Sequence, residues 1–122
     1  MRSVRGKAFI LVAAIIALGC TGHGQSIAAY AVQSGHWTKA EEEAYQGCNL
    51  RYAKSFADPR QWCEVWEEHN HWMSAHPQFA GKKEDSAKFH NCTAKHAAEM
   101  NATPQGFIAA FDRCMREAYG LQ

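Results

Sequence analysis

The sequence predicts an all-α fold: a small four-helix bundle of two helical hairpins, stapled by disulfides, that follows an N-terminal signal segment. Apolar residues beyond position 37 recur at steps of three and four residues, and no stretch alternates apolar and polar residues for long enough to predict a strand. Four of the five cysteines fall one in each predicted helix. A chain of 122 residues is long enough for one domain and not for two.

The N-terminal residues are predicted to direct export. Residues 1–7 are basic and residues 8–19 form an uncharged apolar run, which is shorter than the about 20 residues that span a bilayer and typical of a signal peptide. We therefore predict a signal peptide at 1–19, a flexible tether at 20–37 and a helical domain at 38–122.

Charge excludes one class of partner. Residues 1–19 contain three of the 13 basic residues and no acidic one, so the rest of the chain carries ten basic against 12 acidic residues, a formal charge of −2. A mildly acidic domain has no electrostatic reason to bind nucleic acid, and we expect none to be bound.

The end of the signal segment offers a second interpretation. Ala17-Leu18-Gly19-Cys20 resembles the lipobox of bacterial lipoproteins. This resemblance implies a lipid on Cys20 and a protein of the periplasm or outer membrane. Thr21 stands where an aspartate would favour retention in the inner membrane. Ordinary cleavage after Gly19 or Gly24 would instead give a soluble periplasmic protein.

Helix boundaries follow from capping residues. Thr38 and Glu41 form a predicted capping box, and Asp58-Pro59 ends the first helix and starts the second, which runs to about Ala75. Pro77 and Gly81 mark a loop; the third helix begins near Glu84, and Thr103-Pro104 separates it from the fourth, which stops near Gly120. The predicted inward residues of the second and fourth helices are Trp62, Val65, Trp66, His69 and Met73, and Phe107, Ile108, Phe111, Cys114 and Met115.

The cysteine count supports export and suggests a pairing. If Cys20 carries lipid, four cysteines remain, an even number that can pair as two disulfides. Cys92 and Cys114 lie about equally far from the turn near Ala102, with an axial mismatch of about 3 Å, so they are the favoured bridge. Cys48–Cys63 follows by elimination, although its mismatch of about 7.5 Å needs an offset hairpin. The alternative is Cys48–Cys114 with Cys63–Cys92.

Histidines suggest a metal hypothesis. Glu64, Glu67, Glu68 and His71 share the predicted outer face of the second helix, where carboxylates and an imidazole could hold a divalent cation. His69 and His96 lie among apolar residues and could meet across the bundle. The candidate metal ligands are His69, His71, His96 and Glu67; the alternative for each is a solvated carboxylate or a hydrogen-bonded core histidine.

Four tryptophans suggest a contact surface. Trp62 and Trp66 lie on the predicted inward stripe, whereas Trp37 and Trp72 lie off it. Together with Phe79, the latter two form a candidate patch for binding a partner.

These observations favour an interaction protein of the bacterial envelope that binds another protein, in an inhibitor, immunity, exclusion or secretion-accessory role. The membrane is a second expected partner, through the lipid anchor. A periplasmic metal-binding or metal-sensing bundle is the alternative. No acid–base or nucleophile set can be assembled from spacing, and no haem attachment motif occurs, so neither catalysis nor a cofactor is expected.

Overall fold

The computed structural model describes residues 25–121, and over this range the chain is all-helical, as predicted. The described elements are α1 (Ile27–Gln33), α2 (Lys39–Tyr52), α3 (Arg60–Ala75), a 3-10 turn (Pro77–Phe79), α4 (Ser86–Lys95), α5 (Ala97–Ala102) and α6 (Pro104–Ala118). The predicted signal peptide, Cys20 and the proposed cleavage points lie outside the described residues. Within residues 25–121, the longest helices lack the length and apolar character needed to cross a bilayer.

Two of the caps that the sequence predicts are present, at Thr38 and Thr103. At Asp58-Pro59, Pro59 rather than Asp58 holds the cap position of α3, and Asp58 Oδ1 accepts from the Arg60 amide at 3.0 Å. The Glu41 amide donates to Thr38 Oγ1 at 3.2 Å while Glu41 Oε1 accepts from the Thr38 amide at 2.8 Å, which is the reciprocal capping box. Thr103 Oγ1 accepts from the Gly106 amide at 2.9 Å at the start of α6. These bonds satisfy amides that the first helical turn leaves without partners.

Both disulfides join the predicted pairs. Cys48–Cys63 links α2 to α3, with 5.9 Å between the Cα atoms, and Cys92–Cys114 links α4 to α6, with 5.5 Å. The expected mismatch of the first bridge disappears because α2 already ends at Tyr52 and α3 begins only at Arg60. The two cysteines are therefore nearly equidistant from the helix ends that face each other.

The core lies between α6 and the helices packed on it. Trp72, Phe107, Phe111 and Met115 form one buried cluster, which confirms the predicted inward face of α6. Around them pack half-buried side chains from α4, α5 and the end of the chain. The predicted third helix is divided at His96, whose backbone leaves the helical region, into α4 and α5.

The prediction of a flexible tether at 20–37 is wrong for its described part. Residues 27–33 form α1, whose Ala28 and Ala31 are buried with Trp37 in a second cluster. Gly35 turns the chain with φ of 79°, which suits glycine, and the Trp37 amide then donates to the Ala31 carbonyl at 2.9 Å. This segment reads as a linker because it is short and its small side chains bury little area individually, but it is part of the folded body.

Candidate functional site

The residues predicted to form a partner-binding patch are packed into the structure. Trp37 and Trp72 are each only 3% exposed. The Trp37 indole donates to Glu68 Oε1 at 2.9 Å and the Trp72 indole to Asp112 Oδ1 at 2.8 Å. Phe79 is half-buried, with its ring centroid 5.9 Å from that of Trp72. The proposed patch is thus wrong, because these side chains stabilise the fold and two of them have almost no surface to offer.

Over its first two turns, helix α3 faces the opposite way from the prediction, whereas Met73 near its end packs against the main core as predicted. Trp62 and Trp66 were assigned to the core but are 43% and 48% exposed, and Val65 between them is exposed too. The three glutamates assigned to the solvent, Glu64, Glu67 and Glu68, are buried instead. A functional surface of this helix must therefore be sought on its aromatic side.

Hydrogen-bond donors from α1 and the segment after it explain the inversion. Glu64 Oε2 accepts from the Ala28 amide in the first turn of α1 at 3.0 Å. The dipole of a helix favours a carboxylate at this end. Glu68, only 2% exposed, accepts from the Trp37 indole and lies 2.8 Å from His36 Nε2. Buried carboxylates require such partners, and residues 26–37 supply them.

Two histidines complete this polar interior. The rings of His36 and His71 lie 4.2 Å apart, and His71 Nδ1 lies 2.9 Å from Glu41 Oε2. Burial raises the pKa of Glu41, but hydrogen bonds from the Thr38 amide and from His71 outweigh it and leave this pKa below its usual value. The cluster ties α2 and the segment after α1 to α3.

The candidate metal ligands are not brought together. His69 Nε2 lies 3.3 Å from Glu84, His71 is paired with Glu41, and His96 Nδ1 lies 3.8 Å from Glu99. Glu67 is buried away from the exposed stripe that carries His69. Among residues 25–121 no three histidine, cysteine or acidic groups are placed to hold one ion. His69 and His96, which could have met across the bundle, thus have separate partners, and the candidate set of His69, His71, His96 and Glu67 does not form one metal site.

Burial of Glu64 makes stability depend on pH in a defined direction. Burial raises the pKa of Glu64 above its usual value of 4.5, although the Ala28 amide partly offsets it. The folded state then holds the proton more tightly than the unfolded state, so stability from this group is fully present below about pH 4.5 and is lost as pH rises through the folded pKa.

We expect Glu64→Gln to remove that loss. Urea unfolding at pH 4 and pH 7 should show that the stability of the variant, relative to the wild type, rises between the two values, because glutamine keeps an acceptor for Ala28 but does not ionise. Glu117→Gln, at an exposed position on α6, is the control and should follow the wild-type profile. A Glu64→Gln profile parallel to that of the wild type would contradict the expectation.

A continuous row of rings, which we call the aromatic ladder, runs from the end of α2 and the α2–α3 connection onto the exposed side of α3. Its members are Phe56, Tyr52, Trp62, Trp66 and His69. Tyr52 and Trp62 have centroids 5.0 Å apart, Trp62 and Trp66 5.9 Å with planes within 9°, and Trp66 and His69 5.8 Å with planes within 11°. The row begins at Phe56 in the α2–α3 connection, 5.8 Å from Trp62. Rings held by such contacts present a preformed surface.

A small apolar groove runs beside the ladder. Trp62, Val65, Trp66 and His69 of α3 line it together with Glu84, Phe89 of α4 and Phe111 of α6, which is 1% exposed. Its volume is about 140 Å³, well below the roughly 300–1,000 Å³ of pockets that enclose a small-molecule ligand. The groove is therefore suited to a single side chain rather than to a whole metabolite.

Basic residues border the ladder. The Arg51 guanidinium carbon lies 5.9 Å from the centroid of the Tyr52 ring. Arg60 is compensated by Asp58, whose pKa it lowers to about 2 through a two-point contact of 3.0 and 2.9 Å. At the other end, Glu84 pairs with His69 and lines a shallow depression with two lysines. The charges left beyond these pairs are mainly positive: Arg51, Lys54, Lys82 and Lys83, against Asp85.

Comparison with known proteins gives no relative from which a role could be transferred: no family model matches the chain, and no match was found among curated proteins or solved structures. The surface must be interpreted from its own chemistry. Periodicity placed Trp62, Val65 and Trp66 on one stripe correctly. The signal that could have turned this stripe outward was the set of indole, imidazole and amide donors at residues 28–37, close in sequence to the start of the bundle.

Proposed function

We propose that this protein is a small exported module of the bacterial cell envelope that binds another protein through the aromatic ladder. The observation that carries the proposal is the exposure of Trp62 and Trp66 on a helix that buries three glutamates. Tryptophan, tyrosine and arginine are the residues most enriched at the energetic centres of protein interfaces. Contiguous exposed apolar surface on a small protein typically marks an interaction site.

The ladder is held in place for such a role. Cys63, next in sequence to Trp62, is bonded to Cys48 and fully buried, so the base of the ladder is covalently fixed to α2. Side chains that are already ordered lose little conformational entropy when a partner covers them. The surface supplies apolar area and one imidazole rather than a nucleophile, which supports binding and not catalysis as the activity.

Export is supported by two independent features. The two disulfides are typical of an oxidising compartment. Residues 1–20 have the basic flank, the apolar run and the lipobox-like ending of a lipoprotein signal, which favours attachment at Cys20 in the periplasm or at the outer membrane. Inhibitor, immunity, exclusion and secretion-accessory proteins all work by binding a protein partner in this compartment.

Site-directed crosslinking tests the proposal. A photo-reactive amino acid placed at Val65, which lines the groove between Trp62 and Trp66 of the ladder, should give an adduct with one protein in intact cells. The same group at Leu50 is the control, since this side chain is 81% exposed but lies on the opposite side of α2 from Tyr52. Mass spectrometry of the adduct identifies the partner, whose purified form is then titrated by calorimetry.

Trp66→Ala should weaken binding of the purified partner by more than about tenfold, as expected when a central interface tryptophan is truncated. Leu50→Ala should leave affinity unchanged, and unfolding midpoints should show both variants folded. Equal adduct yields from positions 65 and 50, or an affinity that Trp66→Ala does not change, would rule out the ladder as the binding surface.

A further inference from the structure

We infer that the segment which docks on the aromatic ladder is an amphipathic α-helix with acidic flanks and one bulky apolar anchor that enters the groove. This inference rests on the proposed function and names the kind of partner that the same surface fits. It follows from the spacing of the exposed residues, the size of the groove and the charge around it.

The spacing points to a helix. Trp62, Val65, Trp66 and His69 stand at positions i, i+3, i+4 and i+7, the arrangement by which one helix packs against another. The opposite side of α3 is already covered by α1 and the chain that follows it, whereas Trp62, Val65 and Trp66 on this stripe remain exposed beside the groove. From Trp62 to His69 it extends about 10 Å along the axis, the length of two helical turns.

The size of the groove indicates which side chain of the partner enters it. A volume of about 140 Å³ is below the roughly 300–1,000 Å³ of small-molecule pockets, and it suits one leucine or phenylalanine side chain. Phe111 lies deepest, at the surface of the main core, and Phe89 stands across from α3. An apolar side chain seated there would extend the core of the domain into the partner, in the helix-in-groove manner.

The charged residues around the ladder indicate which residues flank the anchor in the docked helix. Arg51 and Lys54 lie at the Tyr52 end of the ladder, and Lys82 and Lys83 lie beyond Glu84 at the His69 end. Of the nearby carboxylates, Asp58 is bonded to Arg60, Glu84 lies 3.3 Å from His69, and Asp85 offsets only part of the charge of Lys82 and Lys83. Acidic residues on both flanks of a docked helix would complement this field, whereas lysines there would be repelled.

An anionic lipid surface would also attract aromatic and basic residues. The helix is the better fit because the deepest residue of the site, Phe111, is recessed in a concavity between α3 and α4. A bilayer interface contacts side chains that project outwards and would leave this groove unfilled.

Synthetic helices test the inference on the whole exported domain with its disulfides intact. The first probe is a peptide of about 18 residues, long enough to be helical, with leucines at i, i+3, i+4 and i+7 and glutamates and alanines elsewhere. The second replaces every glutamate with lysine, and the third replaces the leucines with serine. Vesicles of equal parts phosphatidylglycerol and phosphatidylcholine form the fourth probe.

Calorimetry should show binding of the acidic leucine helix, at least about tenfold weaker binding of the lysine and serine helices, and a further loss with added salt. Phe89→Ala and Trp66→Ala should each weaken binding of the acidic helix, whereas Leu50→Ala should not. Failure of the acidic helix to bind, equal binding of the acidic and basic helices, or ladder-dependent binding of vesicles in preference to the peptides would overturn the inference.

Failure here is distinguishable from failure of the proposed function. A partner crosslinked at Val65 through a basic or non-helical segment would overturn the helix and keep the binding role. Absence of any ladder-dependent protein partner would remove the binding role itself.

Discussion

Reduction of both disulfides is expected to unfold most of the protein at 37 °C. Cys48–Cys63 and Cys92–Cys114 close loops of 15 and 22 residues, and loops of this size correspond to about 3 kcal/mol each in the chain-entropy description. Their sum, about 6 kcal/mol, is comparable with the whole stability of many small domains, about 5–15 kcal/mol.

The two bridges should stabilise different parts of the fold. Cys48 is the only fully buried residue of α2, so paired replacement of Cys48 and Cys63 by serine should release α2 while α4 and α6 keep their protection from hydrogen exchange. Paired replacement of Cys92 and Cys114 removes a bridge inside the main core, because Cys114 lies among buried residues of α6, and should lower protection throughout.

Urea unfolding followed by circular dichroism, with residue-resolved hydrogen exchange, measures both effects. The matched control is the oxidised wild type incubated under the same conditions without reductant. Losses below about 1 kcal/mol for either pair would show that the bridges do not stabilise the fold as loop closure requires.

Glu68→Ala is expected to destabilise the domain by at least about 2 kcal/mol, since a buried donor left without its acceptor costs about 1–3 kcal/mol and the cavity adds to this cost. The substitution leaves the Trp37 indole without its acceptor and His36 without its carboxylate, and it opens a cavity at the junction of α1 and α3. The expected loss combines unsatisfied polar groups with lost packing.

Two further variants make the result interpretable. Glu68→Gln retains an acceptor for Trp37 and should lose less stability than Glu68→Ala. Glu43→Ala, on the exposed surface of α2, should change the free energy of unfolding by less than about 0.5 kcal/mol. Urea titrations at pH 7 in which Glu68→Ala behaves like Glu43→Ala would show that the buried carboxylate is not needed to dock Trp37.

The sequence predicts part of this structure well, and α6 shows why. Its apolar residues form one stripe and its polar residues another, so hydrophobic burial alone decides which side faces the core. The caps at Thr38 and Thr103 are equally local, since each bond joins residues three apart. The disulfide pairing follows once helices adjacent in sequence are placed side by side.

Helix α3 shows where such reasoning ends. Periodicity determines which residues share a face but not which face is buried when one is aromatic and the other carries Glu64 and Glu68. That choice depends on donors more than 30 residues away, the Ala28 amide and the Trp37 indole, which become available only when α1 folds. The candidate site was misplaced with the helix, and Trp37 and Trp72 exchanged roles with Trp62 and Trp66 for this single reason.

The short helix at the start of the described chain also limits how far the domain can stand from a bilayer. If Cys20 is the lipid anchor, Ser26, the cap of α1, lies only six positions after it, and this stretch reaches at most about 20 Å, against about 60 Å for a free segment ending at Trp37. Ala28 docks on Glu64, across α3 from Trp62. The face that we propose to bind a partner would then stay close to the membrane, where proteins held at the same surface are at the highest local concentration.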